Sequence, residues 1–515
     1  MRAVCLLLLW VSLSFSPVKS QESKPLPRSN PAAEGVSAQA IADFLTAVNS
    51  SRHEMHSFMM LRHGKVVAEA WWDPYKPQLR HTLYSCSKSF TAIAAEFALQ
   101  EGLLQLDDKV LKFFPDLAPD TISDYWAALQ VRHLLTMAAG MRPDPTFNLR
   151  SADTNWIASF LRTPILDAPG SQFLYNTMAT YMVGVIVQRV SGQSLLAYLK
   201  PRLFDPLGIT GMDWERDLLG YEVGGWGLRL KTEDMAKFAQ FLLQKGRWGS
   251  RQLLPSAWID EASSAHILQQ PDLSDEQRGQ TDWAQGYGYQ LWRSRHNSFR
   301  GDGAYGQFML VLPEQDAVIA ITSETDDMQG LLNLVWAHLL PGFDVKIPRR
   351  RQAEKQLRQQ LAACALPELE GAATTSNLPE SGSVAISLED NKLGWRQLLL
   401  TTKQEGALLL ELHSDAGVFQ LGFTHGEPMP SSTVFIGPNL VSFFRGHFQS
   451  VYPARVLGQY AWTQPDELTL ELRYIESPHA QTITLRFMEQ REVEVQLAKS
   501  LDFGRNPTSI KGRRQ

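Results

Sequence analysis

Hydrophobic and polar positions change their period several times along the chain, and each change predicts an element. Residues 57–72, SFMMLRHGKVVAEAWW, read as two strands joined by a His63-Gly64 turn. From Thr91 to Gln100 helix formers dominate and Gly102 supplies a stop, which predicts a helix opening around Ser85. Asn176 to Val190 carries helical apolar spacing closed by Ser191-Gly192. A further helix is expected over Thr232 to Gly246, with Thr232 as N-cap and acidic residues in its first turn. Strand patterns return at Gly286–Trp292, Gly306–Leu312 and Ala317–Thr322, and a helix follows from Asp327 to Leu340. A late hairpin packed back on the early one would give a single antiparallel sheet covered by helices. The expected fold class is therefore α+β.

After Pro341 the pattern shifts. Ile347 to Ala363 is charged and predicts a linking helix, and 368–383 is rich in Gly, Ser, Thr and Pro, the composition of a connector. From Val384 to Phe503 short alternating runs dominate, such as Leu408-Leu409-Leu410-Glu411-Leu412, which predicts a small antiparallel barrel or sandwich. The expected organisation is a leader over 1–20, a main domain over 21–345, a linker over 346–383 and a C-terminal all-β domain over 384–505.

Composition narrows the functional classes. The chain has 515 residues, 44% hydrophobic and 20% charged, enough for a large core. A net charge of −5 argues against nucleic acid as the main partner. Met1-Arg2, the apolar run Ala3 to Phe15 and the small-residue site Val18-Lys19-Ser20 describe a secretory signal peptide, too short for a membrane span. The mature protein is thus expected to be secreted or periplasmic, with no stable span once the signal is removed. Cys5 would leave with that segment, and Cys86 and Cys364 alone do not make a disulfide framework. His53, His56 and His63 lack a carboxylate at ligand spacing, so neither a metal nor another cofactor is expected.

Three motifs carry chemistry. Ser85-Cys86-Ser87-Lys88 places a hydroxyl and an amine on one face of a helix start. A desolvated Lys88 could lose its charge and take the serine proton, the equipment for acyl transfer through a serine ester. Phe173-Leu174-Tyr175-Asn176-Thr177 puts a tyrosine on a loop after the Pro169-Gly170 turn. Near Lys88 its phenolate would be favoured, making Tyr175 a candidate base and then acid, while Asn176 and Thr177 could orient substrate amides or cap the next helix. Arg300-Gly301-Asp302-Gly303-Ala304-Tyr305-Gly306 opens an apolar strand with three glycines that permit close approach by a ligand. The amides of Ser85 and Ala304 could together form an oxyanion hole. Of the aromatics Trp226, Trp283, Tyr287, Tyr289, Trp292 and Tyr305, the two beside glycine-rich turns, Trp226 and Tyr305, are expected to line an acyl pocket.

In this order the motifs resemble the penicillin-recognising serine hydrolases, specifically the class C β-lactamase-related family, from about Asn30 to Leu340. Ancillary stretches such as Phe204-Asp205-Pro206-Leu207-Gly208-Ile209 and Gly224-Gly225-Trp226-Gly227-Leu228 share the resemblance. It implies a β-lactamase/transpeptidase-like fold with a helical subdomain, Ser85 as nucleophile, Lys88 as its activating amine and Tyr175 as acid/base partner. Two departures stand out. Thr177 occupies the place of the usual asparagine in Tyr-x-Asn, with Asn176 one residue early. The strand motif reads Asp302-Gly303-Ala304, with no lysine or histidine at its head. Asp302 would repel a substrate carboxylate, with Arg300 near enough to compensate. These departures favour an esterase or amidase acting on neutral acyl groups over a true β-lactamase. The competing expectation is a non-catalytic binder or sensor of peptidoglycan or peptides on the same fold.

Overall fold

The computed structural model describes residues 24–117, 121–148, 154–343, 351–375, 377–403, 406–440, 451–500 and 507–515. The expected signal peptide over 1–20 lies outside them. After a 3-10 turn over Pro31–Glu34 comes α1 (Ala38–Asn49), capped by the Ser37 side chain. Strands β1 (Glu54–Arg62) and β2 (Lys65–Trp71) form a hairpin through His63 and Gly64, both at positive φ as a two-residue turn requires. Then come α2 (Ser87–Gln100), α3 (Thr177–Ser191) and α4 (Thr232–Leu243). Strands β3 (Trp292–Arg293), β4 (Phe299–Gly303), β5 (Gln307–Leu312) and β6 (Ala317–Glu324) follow, then α5 (Met328–Leu334) and α6 (Arg351–Ala362).

The late strands return to the early hairpin: sheet order is β2-β1-β6-β5-β4-β3, antiparallel throughout, with Met60 opposite Ile319 and Arg62 opposite Ala317. Because successive side chains point to opposite faces, neighbours in one strand serve two cores. Met59, Met309 and Ala320 join the core beneath α2, α3 and α4, while Met60, Leu310 and Ile319 pack against α1 and α5. Both faces are covered, so every residue of β5 and β6 is buried. This is the α+β arrangement expected, with the helical subdomain on one side.

Two local expectations are corrected. Gly286–Trp292 is not a continuous strand: Gly286 (φ 108°) and Gln290 (φ 58°) break the extended backbone, Tyr287 makes only isolated bridges to Ile267 and Trp292, and the ladder begins at Trp292. Lys231, not Thr232, occupies the N-cap position of α4, with no side-chain capping bond, and the Thr232 hydroxyl instead donates to Ser57 Oγ at 2.7 Å.

The C-terminal domain contains β7 (Gly382–Leu388), β8 (Trp395–Thr402), β9 (Ala407–Ser414), β10 (Gly417–Thr424), β11 (Met429–Thr433), β12 (Ala454–Gln464), β13 (Glu467–Tyr474), β14 (Ala480–Phe487), β15 (Glu492–Lys499) and β16 (Thr508–Arg514). They form one sheet in the order β10-β9-β8-β7-β16-β15-β14-β13-β12-β11, and β10 also meets β12 at Thr424 and Gln459, curling it into a barrel-like shape. Alternate residues such as Leu408, Leu410 and Leu412 fill its interior. Its β13–β14 turn reaches the first domain: the Glu476 carbonyl accepts from the Thr82 amide at 3.0 Å, and the Tyr75 hydroxyl donates to the Ser477 carbonyl at 3.0 Å.

Candidate active site

Ser85 sits in a 3-10 turn, Tyr84–Cys86, that runs directly into α2. One helical turn on, Lys88 lies beneath it, 1% exposed. The ammonium-bearing end has three oxygen neighbours: Ser85 Oγ at 2.9 Å, Thr177 Oγ1 at 3.3 Å and the Gly225 carbonyl at 2.6 Å. A carbonyl only accepts, so Gly225 fixes one N–H, and Thr177 can take a second. The third position faces the Ser85 hydroxyl, where a neutral amine presents its lone pair. Burial lowers the Lys88 pKa to about 7, against the opposing pull of Asp144, Cys86 and Asp302. Near neutrality this lysine is therefore divided between base and conjugate acid.

The Gly225 carbonyl can approach only because residue 225 has no side chain. A Cβ there would lie 2.7 Å from the Thr177 carbonyl oxygen, where the loop crosses the start of α3. At β4 the argument repeats: a Cβ on Gly303 would lie 2.2 Å from the Leu83 carbonyl oxygen and 3.3 Å from the Cys86 nitrogen. Gly303 thus lets the strand end, and Ala304 after it, come against the Ser85 turn.

Tyr175 is half-buried, its ring centroid 5.0 Å from Lys88 Nζ. Burial pushes its hydroxyl well above the ordinary tyrosine value, a hydrogen bond with Ser85 opposing. Desolvation, with Asp302, Asp144 and Cys86 adding to it, therefore works against the expected phenolate. Tyr175 stacks on Trp292 at 5.5 Å and meets Tyr287 edge-on, and Phe173 packs on the same pair. Gln290 holds this wall: its side-chain amide donates to the Leu134 and Leu135 carbonyls and its oxygen accepts from Thr180 and Tyr287.

The other expected site residues are placed as follows. Asn176 is buried and caps α3, its Oδ1 accepting from the Ala179 amide at 2.9 Å, so that side chain is committed to the helix. Thr177 carries the contact to Lys88. Asp302, 9% exposed, pairs with Arg300 through Nε at 2.8 Å. Burial raises the Asp302 carboxyl, while the Arg300 charge and hydrogen bond pull it down. Arg300 is fully buried, bonded to Ser294 and the Asp282 carbonyl, with Trp283 and Trp292 over its guanidinium at 4.5 and 5.6 Å. It neutralises Asp302 from behind. Trp226, expected in the pocket, is instead a core residue against Trp156, its indole donating to Glu215. Tyr305 turns toward His479 of the C-terminal domain.

Asp144 had no sequence signal. It accepts from Thr146 and from the Thr177 amide at 3.3 Å, and faces Lys88 electrostatically. Burial raises its carboxyl. Among the described residues no group of three or more His, Cys, Asp or Glu side chains could hold a metal, and no helix is long and apolar enough to cross a membrane.

Comparison with known proteins agrees with this geometry. The chain is 31% identical over 156 residues to the "Putative D-alanyl-D-alanine carboxypeptidase" of Escherichia coli (strain K12), covering 27% of this chain and 36% of that one. It thus spans about a third of that relative. Over 293 residues it is 23% identical to the 6-aminohexanoate-dimer hydrolase of Paenarthrobacter ureafaciens, covering 53% of this chain and 73% of that protein. The crystal structure of a "putative beta-lactamase" from Bacteroides dorei DSM 17855 shares the fold, with a TM-score of 0.50 at 15% identity over 59% of this chain and 99% of that one. The Beta-lactamase family profile matches residues 48–337, more than half of the sequence, and the chain belongs to that family.

Proposed function

We propose that this protein is an exported serine hydrolase that works through a covalent acyl-enzyme at Ser85, on esters or amides with neutral acyl groups. The observation that carries the reading is the buried Lys88 amine, 2.9 Å from Ser85 Oγ with its pKa lowered to about 7. Neutral Lys88 takes the Ser85 proton as Oγ attacks the substrate carbonyl. The amides of Ser85 and Ala304 receive the charge that develops on the carbonyl oxygen. When the tetrahedral adduct collapses, the Tyr175 hydroxyl gives its proton to the leaving group, and the Lys88 ammonium restores it. Water then repeats the sequence on the acyl-enzyme.

Selectivity follows from charge. Arg300 is committed to Asp302, and among the described residues Lys88 is the cationic side chain hydrogen-bonded to Ser85, where it must be neutral to act. Arg300 and Asp302 offset each other's charge, so the pair offers a substrate carboxylate no net attraction, while Phe173, Tyr175, Tyr287 and Trp292 offer an apolar wall. Export rests on the charged, apolar and small-residue order of the first 20 residues.

A panel of p-nitrophenyl esters, a neutral amide, a penicillin and a cephalosporin tests the proposal. Ester or amide turnover is expected, lost in Ser85→Ala. Ordinary turnover of the penicillin or cephalosporin would overturn the neutral-acyl selectivity. A folded protein inert toward every compound would favour a binder on the same fold.

A further inference from the structure

The catalytic turn is held from outside its own domain. The residue before Ser85 is Tyr84 (φ 47°), and the residue after Ala304 is Tyr305 (φ 67°). Both are left-handed, a conformation that a bulky non-glycine residue keeps only where its surroundings enforce it. So each amide of the expected oxyanion pair adjoins a strained tyrosine, one on its N-terminal side and one on its C-terminal side.

One imidazole touches both tyrosines. His479, at the start of β14's approach in the C-terminal domain, is 2% exposed. Its Nε2 lies 2.5 Å from the Tyr84 hydroxyl, and its ring meets the Tyr305 ring edge-on at 4.7 Å and 88°. The tyrosine rings lie 5.5 Å apart. On its other side, Nδ1 lies 2.5 Å from Glu324 Oε1, at the end of β6. An ionised carboxylate only accepts, so Glu324 fixes the proton on Nδ1 and leaves Nε2 to accept the Tyr84 O–H. Burial pushes the Tyr84 hydroxyl well above its ordinary value, which keeps it a donor. The backbone is gripped as well: Tyr305's carbonyl accepts from the Thr325 amide at 3.1 Å and Ser323 Oγ at 3.0 Å.

We propose that His479 of the C-terminal β domain is a positioning residue of the catalytic site, pinning Tyr84 and Tyr305 and so fixing the Ser85 and Ala304 amides that receive the oxyanion. The inference rests on the hydrolase reading above. It gives the β domain a part in the reaction: Glu324 of the first domain orients an imidazole of the second, which returns to the turn bearing the nucleophile.

Full-length wild type, His479→Ala, His479→Gln and Tyr84→Phe would be compared on p-nitrophenyl butyrate, with inhibition by phenylboronic acid and thermal melting measured alongside. His479→Ala is expected to lower kcat about 10-fold or more with KM nearly unchanged, and to weaken the boronate in parallel, because an oxyanion contact acts mainly in the transition state. His479→Gln, which keeps a polar atom toward Tyr84, should recover much of the loss. Tyr84→Phe keeps the ring and removes only the hydrogen bond, so it tests the link even if His479→Ala does not fold, and a several-fold fall in kcat is expected. Unchanged kcat and boronate affinity in folded His479→Ala, or in folded Tyr84→Phe, would overturn the inference while leaving an active wild type as evidence for the hydrolase. An inert wild type matching Ser85→Ala would overturn the hydrolase reading itself.

Discussion

At Lys88 the chemistry turns on a competition that burial wins. Removing the amine from water lowers its pKa to about 7 although Asp144, Cys86 and Asp302 all favour the cation. The base is the neutral form, so kcat/KM should rise with pH through about 7 and level off above it. A profile flat from pH 5 to pH 9 would exclude Lys88 as the base. Lys88→Met keeps the apolar stem and removes the amine, and should cost about 10²–10⁴-fold in kcat in pre-steady-state acylation. Ser85, Lys88 and Tyr175 were legible in the sequence because short spacing on a helix start and a turn-borne tyrosine are local signals. Asp144 was not, since its proximity to Lys88 depends on how the 141–148 loop folds over α3. Nor did the sequence show that desolvation would hold Tyr175 against the phenolate, or that Asn176 would be committed to a cap.

Elements were legible where period and length agreed. The β1–β2 hairpin and α3 follow their apolar patterns, and alternation in β7 to β16 marks a second sheet. Gly286–Trp292 misled because its aromatics mimic a strand while Gly286 and Gln290 hold positive φ; the same residues then set Tyr287 and Trp292 around Tyr175. The approach of β4 to the serine turn depends on Gly303. In Gly303→Ala the new Cβ would meet the Leu83 carbonyl at 2.2 Å, so the turn or the strand must shift. A shift of that kind should lower kcat by about 10²-fold. Overpacking should also cost about 1–3 kcal/mol in unfolding free energy. Steady-state kinetics and urea melts would read the two effects separately.

Across the whole molecule, the two domains meet through buried polar groups whose partners lie hundreds of residues apart, which no local pattern reveals. Arg473 of β13 donates to Glu54 of β1 at 2.6 Å, and Glu54 accepts from His56, itself 3.0 Å from His81. Burial alone would raise the Glu54 carboxyl, but the His56 hydrogen bond and the Arg473 charge outweigh it and hold it at about 2. A carboxyl depressed in the folded state stabilises above its ordinary value and loses that contribution as pH falls from 4.5 toward about 2. Arg473→Met should destabilise by about 1–3 kcal/mol near neutrality, by removing the charged partner of a partly exposed Glu54 that keeps its His56 hydrogen bond, and should flatten this acid dependence. Urea midpoints of both proteins from pH 2 to pH 7 would measure it. Family membership places the fold, and the Lys88–Ser85 geometry supplies the argument for activity. The most direct measurement is intact-mass spectrometry of the full-length protein after treatment with a fluorophosphonate, beside Ser85→Ala. A single adduct on the wild type and none on the variant is the expected result. No adduct on folded wild type, or an adduct that survives Ser85→Ala, would contradict an activated nucleophile at Ser85.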